Sequence, residues 1–216
     1  MQILDVVLHE GWQMKREVGE RKSRIWLLGD SAPKNWENLL DTPLDPLHPA
    51  RHNIWTSVLD VLQERLYREA RLRLDTSDLY IRNAVAHAED KPHEKALAWD
   101  TKVQNGIAEY RQLIDGEQPA LILAFGQFAF EFARRSLEYH LPGFREHEFN
   151  YWGARLLGAE FKVRICNAFA SNSTTIIPLL HTSICRRYFL ESHKYFCGGL
   201  GSNYFNYVGK ELAERI

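Results

Sequence analysis

The chain has 216 residues, is 45% hydrophobic and 25% charged, and carries a formal net charge of -1. These values describe one well-buried domain, and the near-neutral charge excludes a protein that coats nucleic acid nonspecifically while leaving room for a local basic rim. The N-terminal Met1-Gln2-Ile3-Leu4-Asp5 carries neither a basic segment nor a long apolar run, and no stretch is long enough to span a bilayer, so a soluble, cytoplasmic protein is expected. Cys166, Cys185 and Cys197 are odd in number and lack Cys-x-x-Cys spacing, which supports neither a disulfide framework nor a zinc or iron-sulfur site.

Short apolar runs bounded by turn or polar residues predict strands over 24–29, 78–83, 120–125 and 176–180, with 161–168 as a weaker fifth. Helical patterns separate them. From Asn53 to Leu74 the residues Ile54, Val58, Val61, Leu62, Leu66 and Leu72 share one broad face, and His93 to Ile114 repeats the pattern. Gly126 to Leu137 is apolar on nearly all sides. Asn203 to Ile216 closes the chain, with Ser202 as the expected N-cap. Cys197-Gly198-Gly199-Leu200-Gly201 follows no strand and reads as a turn before that last helix rather than a phosphate loop. Alternating strands and helices predict an α/β domain whose mostly parallel, four-stranded sheet is covered on both faces.

Right-handed crossovers align the ends of parallel strands on one edge, the edge where such sheets hold ligands. Asp30 follows the first run, Asn83 ends the second and His181 follows the last, so a carboxylate, an amide and an imidazole are expected around one pocket. An aspartate at such a turn also suits bonding to backbone N–H groups, and an asparagine there suits turn formation. His48 and His52 stand four apart, but Pro49 interrupts a helix between them and no third ligand is evident, so no metal is expected.

The order of these segments resembles the uracil-DNA glycosylase superfamily over about residues 24 to 190, particularly its branches with a Gly-Glu-Ala-Pro-Gly or Gly-Ile-Asn-Pro-Gly first motif. Gly29-Asp30-Ser31-Ala32-Pro33 is similar to that motif, Arg51-His52-Asn53-Ile54-Trp55 to an Asn-Arg-Phe-Trp helix start, and Tyr80-Ile81-Arg82-Asn83 to Tyr-Ile-Thr-Asn. Ala124-Phe125-Gly126-Gln127-Phe128-Ala129 resembles a strand running into Leu-Gly-x-x-Ala, and His181-Thr182-Ser183 resembles His-Pro-Ser. The sequence also departs from the family: Asp30 replaces glutamate, Ser31 is inserted before Ala32-Pro33, the His-Pro-Ser proline is missing, and the iron-sulfur cysteines are absent.

The resemblance implies a three-layer sandwich and a monofunctional DNA glycosylase that flips out a damaged or modified base and hydrolyses its glycosidic bond. Such cleavage builds positive charge on the sugar and negative charge on the base, so the implied catalytic pair is Asp30 at the sugar and His181 at the base oxygen. Asn83 would read the base edge, with Ser31, Trp55 and Tyr80 as further substrate contacts and Trp36 as another candidate stacking ring. Ser183, Ile184, Arg186 and Arg187 would meet DNA, Ile184 as a wedge and the arginines on phosphates. The chemistry calls for no cofactor. No lysine occupies a strand-end motif, so an imine-forming step is not expected. The altered motifs leave room for a base other than uracil, including modified pyrimidines of phage DNA, which would make the protein a defence enzyme. A noncatalytic DNA-binding module and a nucleoside or nucleotide N-glycosidase are the alternative readings.

Overall fold

The computed structural model describes residues 17–31, 56–75, 79–168, 173–181, 190–199 and 203–215. They form an α/β fold around a mixed five-stranded sheet flanked by helices. In chain order the elements are β1 (Glu17–Val18), β2 (Ile25–Gly29), α1 (Thr56–Ala70), β3 (Leu79–Asn83), α2 (Thr101–Glu117), β4 (Leu121–Phe125) and α3 (Gln127–Leu137). They continue with α4 (Ala154–Ile165), β5 (Thr175–Leu179), α5 (Leu190–Phe196) and α6 (Tyr204–Ala213). The sheet order is β1-β3-β2-β4-β5, parallel throughout except that β1 runs antiparallel to β3. This arrangement is compatible with a three-layer sandwich, but the sheet has one strand more than the pattern predicts.

The central strands β2 and β4 are buried along their whole length, which is why Ile-Trp-Leu-Leu-Gly and Leu-Ile-Leu-Ala-Phe read as continuous apolar runs rather than alternations. Pro178 lies within β5. A proline donates nothing to a ladder and is tolerated at a sheet edge, which is where β5 sits.

The predicted weak strand over 161–168 is instead mostly α4. Leu157, Phe161 and Ile165 recur every four residues and are all buried, while Glu160 and Arg164 pair one turn apart. The alternation of Phe161, Val163 and Ile165 imitates a strand, yet Val163 is exposed. The helix expected from His93 starts at Thr101, because the Asp100 carboxylate accepts the Val103 N–H at 2.9 Å and caps it there. The last helix is capped by Asn203, which accepts the Phe205 N–H, while Ser202 lies outside the described residues. Cys197 to Gly199 end α5 in a Schellman pattern, with the Gly199 N–H on Lys194 O and the Gly198 N–H on Tyr195 O.

Two buried charge networks hold the layers in register. At the β1 edge, the buried Arg82 pairs with Glu109 of α2 at 3.0 Å and approaches Glu17 at 3.7 Å, and the Tyr80 hydroxyl donates to Glu17. Burial, together with that hydrogen bond, pushes the Tyr80 hydroxyl well above its usual pKa. The other network centres on Glu131 of α3, whose side chain is fully buried. Its Oε1 accepts from Arg135 Nε at 3.1 Å and the His147 N–H at 2.8 Å, and its Oε2 from Arg134 Nη1 and Trp152 Nε1, both at 2.7 Å. Segment 145–152 is thereby clamped to α3.

Glu131→Ala should cost about 3–5 kcal/mol, because two buried guanidinium groups lose their counter-charge. Urea denaturation measures the loss, and a change within about 1 kcal/mol would show that water takes over the carboxylate's role.

His147 stacks on Tyr151 at 4.2 Å and 8°. Burial lowers its pKa; Glu131 opposes that shift, while Arg134, Arg135 and Arg145 reinforce it. The unfolded chain therefore binds the imidazole proton more readily than the folded one. The resulting stability is whole above the ordinary histidine value of about 6.5 and is lost as pH falls through the lower folded value. Acidification should loosen segment 145–152, seen as faster amide exchange there, and His147→Phe should flatten that dependence.

Candidate functional site

The chain runs from β2 outward to β3, then returns past β2 to β4 and continues to β5. The direction of winding thus reverses between β2 and β4. In open α/β sheets the carboxyl ends of the strands flanking such a reversal diverge into a crevice. Here Asp30 follows β2 and Gly126 follows β4, and both line a cavity of about 290 Å³. The other wall residues are Lys91, Gln127, Phe128, Phe149, Ala154, Leu157, Leu180, His181 and Ser192.

Asp30 is only 8% exposed, and both of its carboxylate oxygens are engaged. Oδ1 accepts the Ala129 N–H at 3.0 Å, and Oδ2 accepts from Lys91 Nζ at 2.6 Å. Ala129 is the third residue of α3, whose own N-cap, Gly126, has no side chain to offer. The aspartate of a neighbouring strand thus supplies the capping oxygen and places its negative charge at the positive end of that helix. His181, one residue beyond Leu180 at the end of β5, brings Nε2 to 3.9 Å from Asp30 Oδ2. That separation is an ion-pair distance and too long for a hydrogen bond.

Gly126 allows this convergence. It holds φ at +106°, and a Cβ there would lie 3.0 Å from His181 Cβ and 3.2 Å from Asp30 Oδ1. Its N–H bonds to Leu179 O at 2.9 Å and its carbonyl accepts from Phe130, which joins the end of β5 to the start of α3.

Lys91 arrives from the other side. The ladder between β2 and β3 extends beyond the strands, with the Ala84 N–H on Gly29 O and the Val85 N–H on Asp30 O. A 3-10 turn, Ala88–Asp90, follows and ends at Lys91. A Lys102 ammonium from α2 bonds Asp90, holds that carboxyl below its usual range and ties the turn to the helix. Lys91 Nζ then lies 5.4 Å from the centre of the Phe128 ring and 5.7 Å from that of Phe149, positions in which both ring faces attract a cation. Phe149 belongs to the segment that Glu131 clamps.

The structure brings Asp30 and His181 together. Asn83 ends β3 on the same sheet edge, paired with Gly29, but it does not line the cavity, and neither does the half-buried Ser31. Tyr80 is buried in the core against Trp26, with ring centroids 4.7 Å apart, and is no stacking surface for a ligand. Trp36, Trp55, Ser183, Ile184, Arg186 and Arg187 lie outside the described residues. The wall residues that strand-end reasoning missed are Lys91, Gln127, Phe149 and Ser192. Gln127 and Phe128 stand inside the segment that resembles Leu-Gly-x-x-Ala, where a polar residue just after a strand-ending glycine was the available signal. Lys91 has no strand-end position to betray it.

No protein-family model matches this sequence, and no curated protein matches it. Among the described residues no helix is long and apolar enough to cross a membrane.

Gly126→Ala should destabilise the fold by about 1–3 kcal/mol, since it adds a strained φ to a collision with two site residues. A thermal midpoint indistinguishable from that of the parent would mean that Asp30 and His181 can part without cost.

Proposed function

We propose that the protein is an N-glycosyl hydrolase of the uracil-DNA glycosylase type, acting on an extruded base in DNA and leaving an abasic site. The observation that carries this reading is the convergence of Asp30 and His181 at the winding reversal, on the wall of a cavity sized for one small ring system. Small-molecule sites typically span roughly 300–1,000 Å³, and this cavity of about 290 Å³ falls at their lower limit.

In the proposed reaction the bond between sugar C1′ and the base nitrogen breaks, and its electron pair leaves with the base. Asp30 faces the positive charge that develops on the sugar and takes the proton of the attacking water, while His181 donates to the carbonyl oxygen of the departing base. The narrow gap between the two groups suits this division, because the glycosidic carbon and the adjacent ring carbonyl of a pyrimidine are close neighbours. In this scheme Gln127, rather than Asn83, presents the amide that pairs with the base edge, and Phe149 supplies an aromatic surface. Water is the only co-reactant, and no cofactor takes part.

Asp30→Asn is the informative variant. Its amide oxygen still accepts the Ala129 N–H, so the cap persists while the charge is lost. Asp30→Asn and His181→Ala should each slow single-turnover base release by about 10²- to 10³-fold, with DNA affinity held within about threefold, because both groups act on charge that appears in the transition state. Release would be followed as alkali-labile sites in oligonucleotides carrying uracil, hypoxanthine, xanthine or modified cytosines. Binding of these oligonucleotides without release would instead mark a noncatalytic module, and release from mononucleotides alone would mark a nucleoside or nucleotide hydrolase.

A further inference from the structure

We infer that Lys91 is a catalytic amine that forms an imine with a sugar aldehyde in the cavity; this inference rests on the glycosidase reading. Among the described residues lining the cavity, Lys91 carries the only primary amine. A lysine becomes a nucleophile when a neighbouring base can take its proton and its surroundings hold water back. Both conditions are present. Nζ donates to Asp30 Oδ2 at 2.6 Å, and the Phe128 and Phe149 rings stand beside it at 5.4 and 5.7 Å. The side chain is 27% exposed, so the amine remains within reach of a ligand.

Departure of a base leaves deoxyribose whose ring opens to an aldehyde at C1′, the carbon that Asp30 and His181 would already face. The ammonium passes one proton to the Asp30 carboxylate, and the nitrogen lone pair attacks C1′ to form a carbinolamine. The carbinolamine oxygen recovers the proton from Asp30 and leaves as water while the carbon-nitrogen double bond forms. Amine and aldehyde thus yield imine and water, with no oxidant or reductant consumed. The ion pair that holds Asp30 in the resting protein is also the proton path of this step.

The test uses the full chain and an oligonucleotide with a preformed abasic site, so that base removal is not required. Sodium cyanoborohydride delivers hydride to the imine carbon and converts the imine to a stable secondary amine. A covalent protein–DNA complex that survives denaturing electrophoresis is expected, with peptide mass spectrometry placing the adduct on Lys91. Lys91→Arg keeps a cationic donor for Asp30 but no comparable nucleophile, and should lower the trapped yield about tenfold or more, as should Lys91→Gln. No trapped complex, an adduct on another amine with Lys91 unmodified, or an undiminished yield from a folded Lys91→Arg protein would overturn the inference. If either variant fails to fold, the adduct position in the parent protein decides. Trapping at Lys91 without base release from any oligonucleotide would sink the glycosidase reading alone, whereas base release without trapping would sink only the imine.

Discussion

The Asp30 carboxylate is the contact through which the site and the scaffold depend on each other. One oxygen satisfies an N–H of α3 that its own N-cap leaves without a side-chain partner, and the other holds the Lys91 ammonium. Losing an N-cap side chain typically costs about 0.5–2 kcal/mol, and a charged acceptor on a buried amide adds electrostatic weight. Asp30 therefore fixes where α3 begins relative to β2, and that placement in turn sets Gln127 and Phe128 on the cavity wall. A site built in this way is preorganised, because the group proposed to face developing charge is held by structural bonds before any ligand arrives.

Stability is reinforced one turn further along α3. Glu131 collects four donors on two buried oxygens and leaves neither oxygen to be satisfied by water. A buried carboxylate is costly unless it is saturated in this way, and a saturated one restricts the packing around it to a single arrangement. Here the arrangement concerns segment 145–152, which carries Phe149 to the rim and delivers the chain to α4. Rim and core thus share one helix, with Asp30 acting on its first turn and Glu131 on its second.

The sequence was informative where one periodicity dominated. Continuous apolar runs identified β2, β3, β4 and β5, and the residues just beyond β2 and β5 were Asp30 and His181, which the structure does bring together. β1 has two residues and carries no pattern of its own; its place comes from Glu17 meeting Tyr80 and Arg82 across the sheet. Phe161, Val163 and Ile165 fit both periods, and only the burial of Leu157 separates helix from strand. Tyr80 looked like a ligand contact by its motif, yet its strand position turns it onto the face that Trp26 occupies. Lys91 was hidden for a different reason: its position depends on a turn anchored by Lys102, a contact between groups far apart in the chain. The buried charges of α3 were equally hidden, since Glu131, Arg134 and Arg135 read as polar interruptions of an apolar helix until their partners are known.

Pro178 has a consequence beyond marking an edge. In a parallel ladder alternate residues direct their backbone groups to opposite sides, and Thr175 and Leu179 bond toward the β4 side. Pro178 and Leu180 therefore face away from β4. The first has no N–H to give, and the second donates its N–H to the Tyr204 hydroxyl at 2.9 Å. A foreign strand laid against β5 would find one donor missing by chemistry and the next already committed. An open edge is where sheet proteins recruit copies of themselves, and this one discourages such recruitment at the same rim that presents His181.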